Sequence, residues 1–226
     1  MYVKKEFDLG RNALKYLVHT YKIKKLHLPY YLCDVIRHTL VEEGCKPVFY
    51  HIDDDFFPAC EFSEKDFVLY PNYWGVCETQ VQKLSKKYPN LIVDNAHAFF
   101  DEPRGFACFN AGHKFGFNNS FLWIKENNHF SNLNNQYSEE DTIKKRHNEF
   151  LLLNEKYKNI NTLKIDLNSK APFCYPCLTN SIEQADELVK KLQEKGKIVY
   201  RYWNPLPKSF CEYKFYSRLV PIPILP

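Results

Sequence analysis

The sequence predicts an α/β fold in which a mainly parallel sheet carries helices on both faces and a smaller α/β unit follows. Over the first 125 residues, short apolar runs typical of strands alternate with segments whose apolar residues recur at helical spacing. Strands separated by helices require crossover connections, which make neighbouring strands parallel. The chain has 226 residues, of which 45% are hydrophobic and 16% aromatic, enough to build a sizeable core.

The elements of the first 125 residues follow from local patterns. Helices are predicted at 12–21, 32–43 and 79–88. Gly44 follows the second of these, and glycine is common just past a helix end. Apolar runs that stop at proline, aspartate or turn residues predict the strands. These strands are 26–29, 47–52, 66–70, 91–93, 106–110 and 120–124.

The second half begins with a polar, asparagine-rich segment at 126–137, which predicts a linker. Helices are predicted at 139–156 and at 181–195, and Gly196 follows the second of them. Strands are predicted at 163–167, 173–179 and 198–202. We therefore predict a large domain at 1–133 and a small C-terminal domain at 134–226.

Composition narrows the partners of the chain. The net charge is +4, and the 31 basic and 27 acidic residues are spread along the sequence, which argues against a nucleic-acid partner. No run approaches the roughly 18 apolar residues that span a bilayer. The N-terminus lacks the apolar core of a signal peptide, so we expect a cytoplasmic protein without a membrane partner and with eight reduced cysteines.

Two segments have metal-like spacing. Cys174 and Cys177 form the one Cys-x-x-Cys of the sequence, but no second ligand pair at zinc spacing accompanies them. Three aspartates at 53–55 follow a predicted strand, where consecutive carboxylates usually form a solvated turn. We expect no metal site and interpret the two cysteines as strand residues.

Polar residues follow several predicted strands, and the carboxyl ends of parallel strands are where such sheets bind ligands. Asp94 and His97 follow the strand at 91–93, and Lys114 follows the strand at 106–110. Gly10 and Arg11 open the first helix, whose free N–H groups suit a phosphate. A carboxylate can hold a protonated pyridine nitrogen, and a lysine amine can bond to an aldehyde. These residue types suit a cofactor with a phosphate, an aromatic ring and an aldehyde.

Six segments occur in an order that resembles the DegT/DnrJ family of sugar aminotransferases, which have the fold type I aminotransferase fold and use pyridoxal 5'-phosphate (PLP). The lysine lies 20 residues after the aspartate, as the resemblance requires. The likeness covers most of the chain. The segments are LGRNAL at 9–14, LPYYLC at 28–33, YPNYWG at 70–75, LIVDNAHA at 91–98, CFNAGHKFG at 108–116 and RYWNPLP at 201–207.

The resemblance implies roles for individual residues. Lys114 matches the lysine that bonds to the cofactor aldehyde, and Asp94 matches the partner of the pyridine nitrogen. His97 stands where the family has a glutamine near the ring hydroxyl, and Cys108 stands where many members have a phosphate-binding serine. The further cofactor-binding residues that the resemblance implies are Gly10 and Arg11 at the phosphate, and Tyr31, with Tyr30 as the alternative, on the face of the ring.

The resemblance also implies an activity, namely transfer of an amine from an amino-acid donor, glutamate, to a keto group on a nucleotide-linked deoxysugar. It implies a homodimer, because the family's site lies at a dimer interface. One alternative is a PLP-dependent sugar dehydratase, which the presence of Lys114 disfavours. The other is a non-catalytic remnant that folds and dimerises without PLP, which the short chain, the seven glycines, Cys108 and His97 favour.

Overall fold

The computed structural model describes residues 1–125, 139–203 and 205–224. Its main sheet has seven strands, which all come from the first 125 residues and are numbered in chain order. The strands are β1 (Tyr2–Phe7), β2 (Lys25–Pro29), β3 (Lys46–Tyr50), β4 (Phe67–Pro71), β5 (Leu91–Asn95), β6 (Ala107–Asn110) and β7 (Ser120–Lys125). The predicted linker at 126–137 and the predicted domain boundary at 133/134 lie outside the described residues, so both stay predictions.

The order of strands across the sheet is β1-β7-β6-β5-β4-β2-β3. The five strands β3, β2, β4, β5 and β6 are parallel to one another. At one side of the sheet, β7 pairs antiparallel with β6, and β1 pairs antiparallel with β7. The prediction of a mainly parallel sheet is therefore confirmed. The sequence did not predict β1, because Lys4, Lys5 and Glu6 interrupt its apolar pattern, as is usual in an edge strand.

Helices cover both faces of this sheet, as predicted. On one face, α1 (Gly10–Thr20) and α2 (Asp34–Glu42) bury a core that includes Leu14, Leu17 and Leu40. On the other face, α3 (Glu78–Lys87) and α4 (Glu140–Tyr157) pack on a second core rich in aromatic rings. Phe150 of α4 is fully buried in that second core. Within the described residues, no helix is long and apolar enough to cross a membrane.

The C-terminal part differs from its prediction in detail. Its strands are β8 (Cys174–Leu178) and β9 (Leu219–Pro223), which pair antiparallel, and its helices are α5 (Ile182–Glu194) and α6 (Tyr213–Arg218). Segments 163–167 and 198–202 are not strands, so those two predictions are wrong. The partner of β8 is instead β9. The sequence did not predict this strand, because its prolines cannot donate hydrogen bonds to a neighbouring strand. The start of α5 follows the prediction, since Ser181 Oγ accepts a hydrogen bond from the Gln184 N–H.

Candidate active site

The carboxyl ends of β5 and β6 place three of the predicted residues next to one another. Asp94 is in β5, His97 follows that strand, and Lys114 lies in the short 3-10 turn Gly112–Phe115 after β6. The turn runs so close to the following chain that a Cβ atom on Gly112 would stand 1.9 Å from the Asn119 carbonyl oxygen. Glycine at 112 therefore permits the approach that holds the lysine over the sheet edge.

The side chain of Lys114 is half-buried at the wall of a pocket. Its Nζ lies 2.9 Å from His97 Nε2, and it also lies 5.3 Å from the centre of the Phe173 ring and 5.8 Å from that of Tyr202. Burial lowers the pKa of Lys114, and the negative charge of Asp94 opposes that shift. A lowered pKa leaves more of the side chain as the neutral amine, the form that can attack a carbonyl.

Asp94 is a buried carboxyl group that is 8% exposed. Its Oδ1 accepts a hydrogen bond from the Ala96 N–H at 2.8 Å. Burial raises its pKa to about 6, and the charge of Lys114 opposes this. Among the described residues, no cationic nitrogen lies within 4.0 Å of the carboxylate. The group is thus a buried acceptor that the protein itself leaves without an ion-pair partner.

His97 is the centre of a stack of nearly parallel rings. Its imidazole lies 4.6 Å from the Phe173 ring, 5.2 Å from Trp74 and 5.8 Å from Trp203, with interplanar angles of 6°, 13° and 3°. Burial, followed by the charge of Lys114, holds the pKa of His97 well below its usual range. The imidazole is therefore neutral, and its Nε2 can accept a hydrogen bond from the Lys114 side-chain nitrogen.

A pocket of about 440 Å³ opens beside Lys114. Its wall includes Arg146 of α4, which is 5% exposed and whose Nη2 donates to the carbonyl oxygens of Pro172 and Phe173 at 2.8 and 3.0 Å. Burial lowers the pKa of Arg146, and its Nε is buried without a hydrogen-bond partner among the described residues. The other lining residues are Phe115, Gly116, Cys174, Ile198, Tyr200, Tyr202, Pro221, Pro223 and Ile224.

Several solved structures share this architecture. PseC from Helicobacter pylori, an aminotransferase of pseudoaminic acid biosynthesis, superposes with a TM-score of 0.72 at 15% identity, covering 97% of this chain and 81% of its own. A DegT DnrJ EryC1 StrS aminotransferase from Brucella abortus gives 0.71 at 13% identity, with 98% and 80% covered. Aminotransferase TlmJ from Streptoalloteichus hindustanus gives 0.74 at 11% identity, with 98% and 80% covered.

The chain has the aminotransferase fold. At identities of 11 to 15%, this likeness establishes the architecture and confirms the resemblance drawn from the six segments at that level. No protein-family model and no curated protein matches the sequence.

In this aminotransferase fold, the start of α1 faces the end of β6. A Cβ atom on Gly10 would lie 3.0 Å from the Asn110 carbonyl oxygen, so glycine allows the helix to begin against the strand. Arg11 is exposed. Burial lowers the pKa of the nearby His113, and the charges of Lys114 and Arg11 add to that shift. Asp8 also lies here, with Oδ1 accepting from the Leu9 N–H at 2.8 Å. The helix start thus offers free N–H groups and a cation, with one carboxylate beside them.

The predicted Tyr31 and Cys108 lie inside the protein. The Tyr31 hydroxyl donates to the Tyr202 carbonyl oxygen at 2.9 Å, and its ring packs 4.7 Å from Trp203, behind the ring stack. Cys108 is fully buried in β6 opposite Trp123, and burial strongly raises the pKa of its thiol. Neither side chain lines the pocket at Lys114. Their cofactor roles stay predictions.

Sequence reasoning missed Arg146 and Phe173. Arg146 could have been found from the sequence by its helical spacing. It stands four residues before Phe150 and seven before Leu153, on the buried face of α4. A cation on the apolar stripe of a helix needs a partner, and here backbone carbonyls supply it. Phe173 had no signal of this kind, since its place on His97 depends on the path of the chain between α4 and β8.

Proposed function

We propose that the chain is a PLP-dependent aminotransferase that acts on a nucleotide-linked keto-deoxysugar with glutamate as amino donor. The observation that carries the proposal is the half-buried Lys114 amine, 2.9 Å from a neutral His97 and beside a pocket at the strand ends. Its charge acts on Asp94, a buried carboxyl group that has no ion-pair partner among the described residues. Among the structures that share the fold, Spr1654 from Streptococcus pneumoniae was solved in a PLP form and a PMP form.

The residues present fit such a cofactor at three points. Lys114 offers an amine for the aldehyde, and Asp94 offers a carboxylate whose missing partner a pyridine N–H would supply. The start of α1, with Gly10 and Arg11, offers N–H groups and a positive charge for a phosphate. His97 lies against Lys114 and would meet the ring hydroxyl. Bound PLP would supply an aldehyde that exchanges amines and a ring that withdraws electrons.

The protein's own groups would handle protons and exclude water. Lys114 Nζ would take a proton from the substrate carbon and return it, because burial lowers its pKa and so increases the share of the neutral amine. His97, which burial keeps neutral, would accept a hydrogen bond from that nitrogen and hold its direction. The Phe173 and Tyr202 rings would shield the amine from water. Arg146 in the pocket wall would attract an anionic substrate group.

A second reading, the non-catalytic remnant, is supported by particular contacts. The three rings stacked around His97 fill space next to the lysine, and the Tyr31 hydroxyl donates a hydrogen bond in the core. Asp8 lies at the helix start, where its negative charge would repel a phosphate. A protein of this kind would keep the fold and its self-association without holding PLP.

We further propose a homodimer in the cytoplasm. Ile198 and Tyr200 line the pocket at Lys114, yet they are 68% and 65% exposed. Leu152 of α4 is 70% exposed. A second copy that covered these side chains would close the pocket and bury apolar surface. Sedimentation velocity at micromolar concentration tests this, and a monomer throughout would remove the proposal.

Covalent trapping tests the enzymatic proposal. The protein is incubated with PLP, reduced with borohydride and digested, and the peptides are weighed by mass spectrometry. We expect the phosphopyridoxyl mass on the peptide that contains Lys114, no such mass in Lys114→Ala, and an unchanged result in Lys65→Ala, which removes an exposed lysine. Label spread evenly over surface lysines, or none, would overturn the proposal and favour the remnant. If the label is on Lys114, addition of glutamate should remove the visible absorbance band of bound PLP, which would establish the first half of the amino transfer.

A further inference from the structure

Three potential metal ligands meet at the edge of the sheet, outside the pocket at Lys114. They are His51, one residue beyond β3, and Cys211 and Glu212, which immediately precede α6. His51 Nδ1 lies 3.0 Å from Glu212 Oε2 and 3.8 Å from Cys211 Sγ, and Cys211 Sγ lies 3.2 Å from Glu212 Oε2. The sequence predicted no metal site, because His51 and Cys211 are 160 positions apart.

The size of this triangle matches a zinc coordination sphere. With Zn–S near 2.3 Å and Zn–N and Zn–O near 2.0 Å, tetrahedral angles require edges of about 3.3 Å between nitrogen and oxygen and about 3.5 Å from sulfur to either. The three observed edges each lie within about 0.4 Å of these values. In the plane of the three ligand atoms, the point equidistant from them lies about 2.0 Å from each. A zinc ion therefore fits once the sulfur moves outward by a few tenths of an ångström.

The three side chains are also held in place. The Glu212 side chain has no exposed surface, and its Oε1 accepts a hydrogen bond from the Ile52 N–H at 2.8 Å. The His51 ring packs 4.6 Å from the Tyr30 ring and 4.9 Å from the Phe210 ring, which fixes the direction of Nδ1. The His51 side chain is 43% exposed, so the cluster is open to solvent on one side. Fixed ligands with one open side are what a three-ligand zinc site requires.

We propose that His51, Cys211 and Glu212 bind one zinc ion, with water as the fourth ligand on the open side. A thiolate and an imidazole together select a soft or borderline ion over Mg²⁺ or Ca²⁺. A thiolate and a carboxylate also balance the charge of a divalent cation next to the buried Glu212. The ion would join the segment after β3 to the start of α6. This zinc site is distinct from the cofactor site proposed above.

The neighbouring aspartates make other interactions and do not compete for the proposed zinc ion. Asp53 Oδ1 accepts from the Asp55 and Phe57 N–H groups at 2.9 and 2.8 Å, which closes a turn. Asp54 forms an ion pair with Lys214. The aspartate triplet at 53–55 is thus a turn, in agreement with its interpretation from the sequence, and the metal ligands lie beside it.

Cobalt binding tests the proposal on the purified full chain, stripped with chelator and titrated with Co²⁺ and then Zn²⁺. We expect one equivalent of Co²⁺ to produce a thiolate-to-cobalt charge-transfer band and tetrahedral visible bands, which Zn²⁺ displaces. Cys211→Ser should abolish the charge-transfer band and weaken Zn²⁺ binding at least 10-fold. His51→Phe should weaken it comparably, and its ring keeps the packing against Tyr30. Cys60→Ser, which removes the other exposed cysteine, should leave both unchanged.

A second measurement covers the case in which a variant folds poorly. In the unmodified protein, Zn²⁺ should raise the melting temperature and slow the reaction of one exposed thiol with a thiol reagent, whereas Mg²⁺ should do neither. If the protein shows no Co²⁺ charge-transfer band, or if Cys211→Ser binds Zn²⁺ as tightly as the parent, the proposal is overturned. The three residues are then a hydrogen-bonded His–Glu pair with an adjacent thiol.

Discussion

Replacing Asp94 by asparagine should stabilise the cofactor-free protein at pH 8. Burial raises the folded-state pKa of this carboxyl group from 3.8 to about 6. Between these two values the folded state binds more protons than the unfolded state, so stability falls as the pH rises through this window. The difference of about 2 pKa units corresponds to about 3 kcal/mol above pH 6. Asparagine carries no charge and can still accept the Ala96 N–H, so it avoids this cost.

The pH dependence makes the prediction specific. The stabilisation should be about 3 kcal/mol at pH 8 and about half that at pH 5, where the folded protein already carries most of the proton. At 2–4 °C per kcal/mol for a chain of this size, the melting temperature at pH 8 should rise by about 6–12 °C. Thermal unfolding of cofactor-free Asp94→Asn and its parent at both pH values measures it.

A control of opposite sign accompanies this experiment. The Lys25 hydrogen bond lowers the pKa of Asp66, so this ionised carboxylate stabilises the fold once the pH exceeds its unfolded value. Asp66→Asn should therefore lower the melting temperature at pH 8. If Asp94→Asn melted no higher than its parent at pH 8, or gained equally at pH 5 and pH 8, the buried charge would not be what destabilises the protein. Added PLP should stabilise the parent more than Asp94→Asn, because the parent gains a partner for its charge.

Two further substitutions test the walls of the site. Gly75→Ala should lower the free energy of unfolding in urea by more than about 2 kcal/mol, because Gly75 has φ of +78° and an added Cβ would stand 2.3 Å from the His97 carbonyl oxygen. Gly44→Ala is the control, since Gly44 has φ of +65° but open space around it, and it should cost about 1 kcal/mol. Equal losses in the two variants would contradict the steric argument. Arg146→Lys should cost about 1–3 kcal/mol by the same assay, because an ammonium group cannot reproduce both guanidinium contacts to the Pro172 and Phe173 carbonyls, and an unchanged midpoint would refute that role.

The sequence determined the parts of this protein that depend on local patterns. Alternation of apolar runs with helical periodicity predicted the parallel sheet and the helices on its two faces, within a few residues at most ends. The positions of Asp94 and Lys114, each just past a predicted strand, predicted that both would lie at the carboxyl edge of the sheet. The likeness of six segments to sugar aminotransferases agrees with the fold that the structure has.

Tertiary structure decided what depends on distant partners. Local pattern indicates which side chains are apolar but not what they pack against. The hydrogen bond from the Tyr31 hydroxyl to the Tyr202 carbonyl oxygen therefore appears only in the folded chain. The sequence did not predict strand β9, because two of its five residues are prolines and its pairing partner β8 lies about 40 residues away in the chain. The meeting of His51 with Cys211 and the approach of Arg146 to the pocket join positions far apart in the chain. Such contacts arise from packing of whole elements, and no periodicity in the sequence records them.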